Sequence, residues 1–109
     1  MDRGQLAYDN FLKGYNCSQS VIMAYSDFFP EESLETVIKI SSSFGGGMGR
    51  LREVCGTVSG AFMVLGAVYG YSEAGDTERK KDLYSRIQEF ASRFEKENGS
   101  IVCRTLLGL

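Results

Sequence analysis

Apolar side chains recur every three or four residues along most of the chain, a spacing typical of amphipathic helices. The pattern predicts a short first helix from Arg3 to Lys13, which Gly14 would end. A second helix is predicted to follow Asn16, whose side chain is a good N-cap, and to end at Pro30. The first residue of that second helix would be Cys17.

The segment Val54–Tyr71 carries no formal charge and is marginally long enough to cross a membrane. Its glycines and polar side chains dilute its hydrophobicity, and a helix that is apolar on all sides also suits the centre of a bundle. We therefore predict a buried central helix and no membrane span. Gly56 and Gly60, like Gly66 and Gly70, lie four residues apart, a spacing that lets a neighbouring backbone approach closely.

A long amphipathic helix is the clearest element of the C-terminal half. Asp76 or Thr77 can cap its start, and Asn98–Gly99 would end it. Ser100 can then cap a last short helix that holds Cys103. The predicted buried face of the long helix consists of Leu83, Ile87, Phe90 and Phe94.

The remaining pattern completes an all-α prediction. Ser33 can cap a third helix that leads to the glycine-rich segment after Phe44. A single proline and thirteen glycines suit helices that end at glycine and pack closely. We predict one domain over residues 1–109, a small bundle of five to six helices with a glycine-rich loop before a buried central helix.

Composition and charge exclude several classes of function. A formal net charge of −2 and a pI of about 5.1 give no basic footprint, so nucleic acid is not an expected partner. The N-terminus lacks the pattern of a secretory signal, and an odd number of cysteines, three, fits poorly with a secreted disulfide framework. These features predict a cytoplasmic protein.

The candidate chemistry lies in Cys17, Cys55 and Cys103, since the chain has no histidine. Each cysteine lies where the pattern predicts the start of a helix, and positive helix ends favour a thiolate. No Cys-x-x-Cys unit is present, so only the fold could bring these sulfurs together. The alternative is that they are ordinary packing residues, because free cysteine is often buried.

A glycine-rich segment, Phe44–Arg50, precedes the second cysteine. Backbone without side chains can turn its N–H groups towards a thiolate, an iron–sulfur cluster or a bound anion. Arg50 and Arg52 add positive charge nearby. Phosphate is the weaker interpretation, because no known phosphate-loop motif is present. The residues predicted to contact a cofactor are Gly46, Gly47, Gly49, Arg50 and Gly56.

Four blocks together resemble a known bacterial family. They are Tyr15–Val21, Phe44–Gly49, Cys55–Ala61 and Cys103–Gly108, and they span nearly the whole chain. They are similar to the redox-active family named for its cysteine pattern, C_GCAxxG_C_C. The resemblance implies a small helical protein that is redox-active through its cysteines and similar to the non-haem iron–sulfur portion of split-Soret cytochromes.

By position, Cys17, Cys55 and Cys103 match the first three family cysteines, and the fourth is missing. Family members usually continue with another helix and another cysteine beyond the position of Leu109. The chain is thus either a short member or part of a longer one. Iron–sulfur clusters normally take four thiolates, so the resemblance supplies three of the four ligands.

Three hypotheses remain open from the sequence. In the first, Cys17 and Cys55 converge and exchange electrons with an unidentified redox partner by cycling between dithiol and disulfide, with Cys55 attacking, or they hold an iron–sulfur cluster with Cys103. In the second, the three thiolates bind zinc, with water, Glu53 or a second subunit as the fourth ligand. In the third, the glycine-faced central helix forms a homodimer and the cysteines have a packing role. Whether the protein is an enzyme is left open.

Overall fold

The structure, a computed structural model, describes residues 2–109 and confirms the all-α prediction. Six helices lie within that range: α1 Arg3–Leu12, α2 Cys17–Ala24, α3 Glu31–Ser41, α4 Gly56–Tyr69, α5 Thr77–Asn98 and α6 Cys103–Leu106. Short 3₁₀ turns follow α2 at Ser26–Phe28 and α3 at Ser42–Phe44. The turn Gly45–Met48 is not counted as a helix, because Gly46 and Gly47 inside it are left-handed.

The pairing of α2 with α4 forms the centre of the fold. Ile22 and Val58 are fully buried, and Val21 and Val64 are nearly so. Side chains of α3 cover the other side of α2, where Leu34, Val37 and Ile38 pack against the core. The prediction of a buried central helix is confirmed, and none of the helices described between residues 2 and 109 is long and apolar enough to cross a membrane.

Glycine permits this close approach at one end of α4 only. A Cβ at Gly60 would lie 2.9 Å from the carbonyl oxygen of Ser18 and 3.1 Å from Cβ of Val21, so the backbones of α2 and α4 are in contact there. The same prediction for Gly66 and Gly70 is wrong. A Cβ at Gly66 would meet open space, and Gly70 ends the helix by donating its N–H to the Gly66 carbonyl.

The N-caps of α2 and α5 are confirmed. Asn16 and Gln19 form a reciprocal capping box at the start of α2, so Cys17 is its first residue. Asp76 accepts the Arg79 N–H at the start of α5. Both caps were predictable because each depends on side chains within one turn of the helix start.

Two other predicted caps are wrong. Helix α3 begins at Glu31 directly after Pro30, and the Ser33 hydroxyl lies inside the first turn, where it donates to the Pro30 carbonyl. Helix α6 begins after Val102, whose N–H donates to the Ser100 hydroxyl. In both places the serine stabilises the turn without occupying the N-cap position.

Helix α2 also ends earlier than predicted, at Ala24. The guanidinium of Arg3 donates to the Ala24 carbonyl at 3.0 Å and pairs with Asp27 at 2.6 Å. The same group lies over the rings of Tyr25 and Phe28, at 4.6 and 5.1 Å from their centroids. This contact from α1 satisfies a terminal carbonyl that the helix itself leaves free, and the chain turns there.

The apolar face of α5 is less covered than predicted. Leu83, Ile87, Phe90 and Phe94 are half-buried, and no residue of α5 is fully buried. Phe90 packs edge-on against Phe62 of α4, with ring centroids 6.1 Å apart, and stacks on Phe94. The long helix therefore contacts the bundle along one flank and leaves part of its apolar stripe open.

Candidate functional site

Three separate parts of the chain bring their cysteines to one cleft of about 770 Å³. Cys17, Cys55 and Cys103 all line it, although no local motif joins them. Cys17 and Cys55 are half-buried, Cys103 is buried, and all three are free thiols. Of the other predicted site residues, Gly46, Gly49, Arg50 and Gly56 also line the cleft.

The sulfur of Cys17 lies against the first residue of α4. A side chain at Gly56 would overlap Cys17 Sγ, and it would also lie 3.1 Å from the Phe44 carbonyl oxygen. Gly56 directly follows Cys55, which is the N-cap residue of α4. The contact therefore places the Cys17 thiol beside the chain segment that carries Cys55. Direct pairing of the two sulfurs stays a prediction.

An antiparallel bridge between Val54 and Val102 places Cys55 and Cys103 on the same face. The Cys55 N–H donates to the Ile101 carbonyl at 2.8 Å, and the Cys103 N–H donates to the Glu53 carbonyl at 2.6 Å. The two cysteines are diagonal neighbours across this pairing, and such neighbours in a sheet lie about 7–8 Å apart, with a somewhat shorter distance between their Cβ atoms. Sequence analysis missed the bridge, since a single extended pair has no periodic signal.

A guanidinium contacts the buried thiol. Arg52 Nη1 donates to Cys103 Sγ at 3.7 Å. Arg52 was predicted to lie near Cys55. In the structure its guanidinium contacts Cys103, the cysteine most distant from it along the chain. The contact therefore joins the segment that precedes Cys55 to the helix that carries Cys103.

Gly47 lies beneath the cleft without lining it. A Cβ there would lie 2.6 Å from Cβ of Cys103 and 2.8 Å from Cα of Arg52. Its carbonyl accepts the Glu53 N–H at 3.0 Å. Gly47 thus packs against the segment that carries Arg52, and its contact with a cofactor stays a prediction.

The turn into the cleft is strained. Met48, Arg50 and Arg52 have positive φ angles of 66°, 66° and 63°, and the left-handed Gly47 and Gly49 lie on either side of Met48. A non-glycine residue in this region costs about 1–2 kcal/mol. The Arg50 N–H donates to the Gly45 carbonyl at 3.4 Å, and the Arg52 carbonyl accepts the Arg104 N–H at 3.1 Å. The glycine run was the one sequence signal for this turn.

Asn16 joins the helix that carries Cys17 to the glycine turn. Its Nδ2 donates to the Ser42 carbonyl at 2.8 Å while its Oδ1 caps α2. A Cβ at Gly45 would lie 2.5 Å from the Asn16 amide group, so this contact requires glycine. Asn16 was predicted as a cap only, and its second role depends on the tertiary fold.

The described donors do not form a ready metal centre. Between residues 2 and 109, no three Cys, His, Asp or Glu side chains are close enough together to hold a metal ion. Glu53, a predicted fourth ligand, does not line the cleft. A four-thiolate cluster held by this chain alone does not fit this donor set, because the set has three thiols.

Comparison with known proteins identifies one family. No curated protein matches the chain, and no solved structure matches it. The family described as "Putative redox-active protein (C_GCAxxG_C_C)" matches residues 15–108, which include all three cysteines and the glycine turn. The chain therefore belongs to the C_GCAxxG_C_C family.

Proposed function

We propose that the protein transfers electrons by thiol–disulfide exchange in the cysteine cleft. The observation that carries this proposal is that three free thiols from remote segments line one cleft beside Arg50 and Arg52. If the cysteines had only a packing role, there would be no reason for Cys17 and Cys55 to be half-exposed in the same cleft. Membership of a redox-active family is in keeping with this chemistry.

The half-exposed Cys55 is the attacking thiol in this proposal. Its thiolate attacks one sulfur of an external disulfide, which forms a mixed disulfide and releases one thiolate. Cys17, whose sulfur lies beside Gly56, then attacks Cys55 Sγ and releases the second thiolate. Two electrons pass from the protein to the external disulfide, and the two protons of the protein thiols go to the released thiolates. Cys103 stays reduced.

Serine variants test these roles. Reduced Cys17→Ser, Cys55→Ser and Cys103→Ser proteins would be mixed with a small disulfide and followed by intact-protein mass spectrometry. Cys55→Ser is expected to lose the rapid formation of the mixed disulfide with the small molecule. Cys17→Ser is expected to form that mixed disulfide and to react no further. Cys103→Ser should still close an intramolecular disulfide. Equal reactivity of all three variants would contradict the assignment.

An iron–sulfur cluster or a zinc ion is the second candidate, because the same three thiols are soft donors. Either group requires the sulfurs to move closer together and a ligand from outside the chain. Protein purified without oxygen would then contain iron with sulfide, or zinc, in a fixed ratio to the chain. Colourless, metal-free protein that exchanges disulfides would exclude this candidate.

A homodimer remains part of the proposal. The half-buried face of α5 and the open space at Gly66 of α4 supply apolar surface for a second copy. Sedimentation equilibrium measures the mass directly. A mass of one chain at all concentrations tested would contradict the homodimer.

A further inference from the structure

We infer that the cleft selects small disulfides that carry negative charge, of the kind formed by carboxylate-bearing thiols. The inference rests on the proposed function and names the substrate class of the same site. Its basis is the charge of the cleft wall. Arg50 and Arg52 line the cleft, and among residues 2–109 no aspartate or glutamate does.

Among residues 2–109, Arg50 and Arg52 form no salt bridge with a carboxylate. The ion pairs found between residues 2 and 109 involve Arg3, Arg79, Arg86 and Arg93. Arg50 makes none of them, and Arg52 contacts only the sulfur of Cys103 among charged or thiol side chains. Two positive charges therefore border the thiols without a carboxylate partner.

The backbone indicates that these charges are held in place. Arg50 and Arg52 keep left-handed conformations that glycine adopts more easily, within a turn already rich in glycine. Strained non-glycine residues cluster at functional sites, where surrounding structure maintains them. In this site, two cations in such conformations line the cleft of a chain whose net charge is −2.

The size of the cleft favours a small molecule over a protein substrate. A volume of about 770 Å³ is within the range of small-molecule sites. Phe11 and Leu107 supply apolar wall, and Gly46 and Gly49 leave backbone accessible. A carboxylate of the incoming disulfide would pair with a guanidinium while Cys55 attacks its sulfur. The same cations would stabilise the thiolate that leaves.

Three disulfides of similar size and different charge test the inference. Dithiodipropionate is anionic, hydroxyethyl disulfide is neutral and cystamine is cationic. Second-order rate constants for oxidation of the reduced protein would be measured by stopped flow at low salt. The anionic probe is expected to react about tenfold faster than the neutral one, and the cationic probe more slowly. In about 1 M salt, where the screening length is about 3 Å, the rates should converge.

Variants that remove one positive charge test whether Arg50 and Arg52 cause the preference for the anionic disulfide. Arg50→Gln and Arg52→Gln are expected to abolish the preference for dithiodipropionate. Neither removes a thiol, and only Arg52→Gln removes a hydrogen bond to a thiol, that of Cys103. Arg79→Gln is the matched control, because it removes the same charge from an exposed pair with Asp76 outside the cleft. It should keep the tenfold preference. Circular dichroism would show that each variant is folded.

The outcomes separate the inference from the proposed function. Equal rates for all three probes, or a preference that survives in the Arg50→Gln/Arg52→Gln double variant, would overturn the inference and leave thiol exchange standing. No reaction with any of the three probes would overturn thiol exchange itself.

Discussion

The sulfur of Cys17 occupies the space that a side chain at Gly56 would need. The contact joins the first turn of α2 to the first turn of α4, so that glycine at this position determines where the Cys17 thiol lies. The packing of α2 against α4 and the position of the Cys17 thiol therefore both depend on the contact between Cys17 Sγ and Gly56.

Gly56→Ala is expected to destabilise the protein, because the added methyl group must displace Cys17 Sγ or the Phe44 carbonyl. Overpacking of this kind costs about 1–3 kcal/mol. Urea denaturation measures the free energy of unfolding. The matched control is Gly66→Ala in the same helix, which meets open space and should raise stability by about 0.5–1 kcal/mol. Equal effects of the two changes would contradict the packing described.

Arg50→Gly is expected to stabilise the fold, although it removes a side chain. Arg50 has a φ of 66°, and relief of that strain outweighs the extra freedom of glycine in the unfolded chain. We expect a gain of about 0.5–1 kcal/mol in the free energy of unfolding. Lys96→Gly, in the last turn of α5, should instead lose up to about 1 kcal/mol. A loss at both positions would show that residue 50 is not left-handed in solution.

Two buried serines should respond in opposite directions. Ser18 Oγ is buried without a hydrogen-bond partner, so Ser18→Ala is expected to leave stability unchanged or to raise it by up to about 1 kcal/mol. Ser41 is equally buried, but its hydroxyl donates to the Ile38 carbonyl at 2.8 Å. Ser41→Ala should cost about 0.5–1.5 kcal/mol in thermal or urea unfolding. The reverse order would be inconsistent with the described hydrogen bonds.

The salt bridge between Arg3 and Asp27, which joins α1 to the turn after α2, should be sensitive to acid. The hydrogen bond from Arg3 lowers the pKa of the Asp27 carboxyl from its ordinary value of 3.8. A carboxylate whose pKa is lower in the folded state stabilises the fold above the unfolded pKa and loses that effect as the pH falls through the folded pKa. Asp27→Asn should therefore be less stable than the parent at neutral pH.

The difference between parent and Asp27→Asn should shrink as the pH falls below 3.8, the ordinary value, and through the lowered pKa of the folded Asp27 carboxyl. Unfolding curves at a series of pH values measure this directly. The salt bridge is exposed, so the effect should also decrease with added salt. A difference that stays constant down to strongly acidic pH would rule out ionisation of Asp27 as its cause.

Local signals in the sequence predicted the parts of the site that depend on short stretches of chain. The Asn16 cap placed Cys17 at the start of α2, and the uncharged segment after Val54 predicted the central helix. The spacing of Gly56 and Gly60 predicted the close approach of a neighbouring helix, which is α2. Each of these features follows from steric or hydrogen-bonding properties of residues within about one turn.

Features that depend on tertiary contacts were not predictable in the same way. The pairing of Val54 with Val102 joins residues from opposite ends of the site, and a single bridge leaves no alternating pattern. The left-handed conformations of Arg50 and Arg52 run against the steric preference of non-glycine residues, so the residue types do not predict them. The half-buried stripe of α5 shows that periodicity marks an apolar face but not how fully it is covered.

The pairing of Cys17 with Cys55 is the central claim, and an equilibrium redox titration tests it most directly. Metal-free protein would be poised in buffers of graded potential, quenched with an alkylating agent and mapped by peptide mass spectrometry. We predict that these two thiols disappear together in one two-electron transition while Cys103 stays alkylated. Independent oxidation of the three thiols, or a disulfide that involves Cys103, would contradict this account.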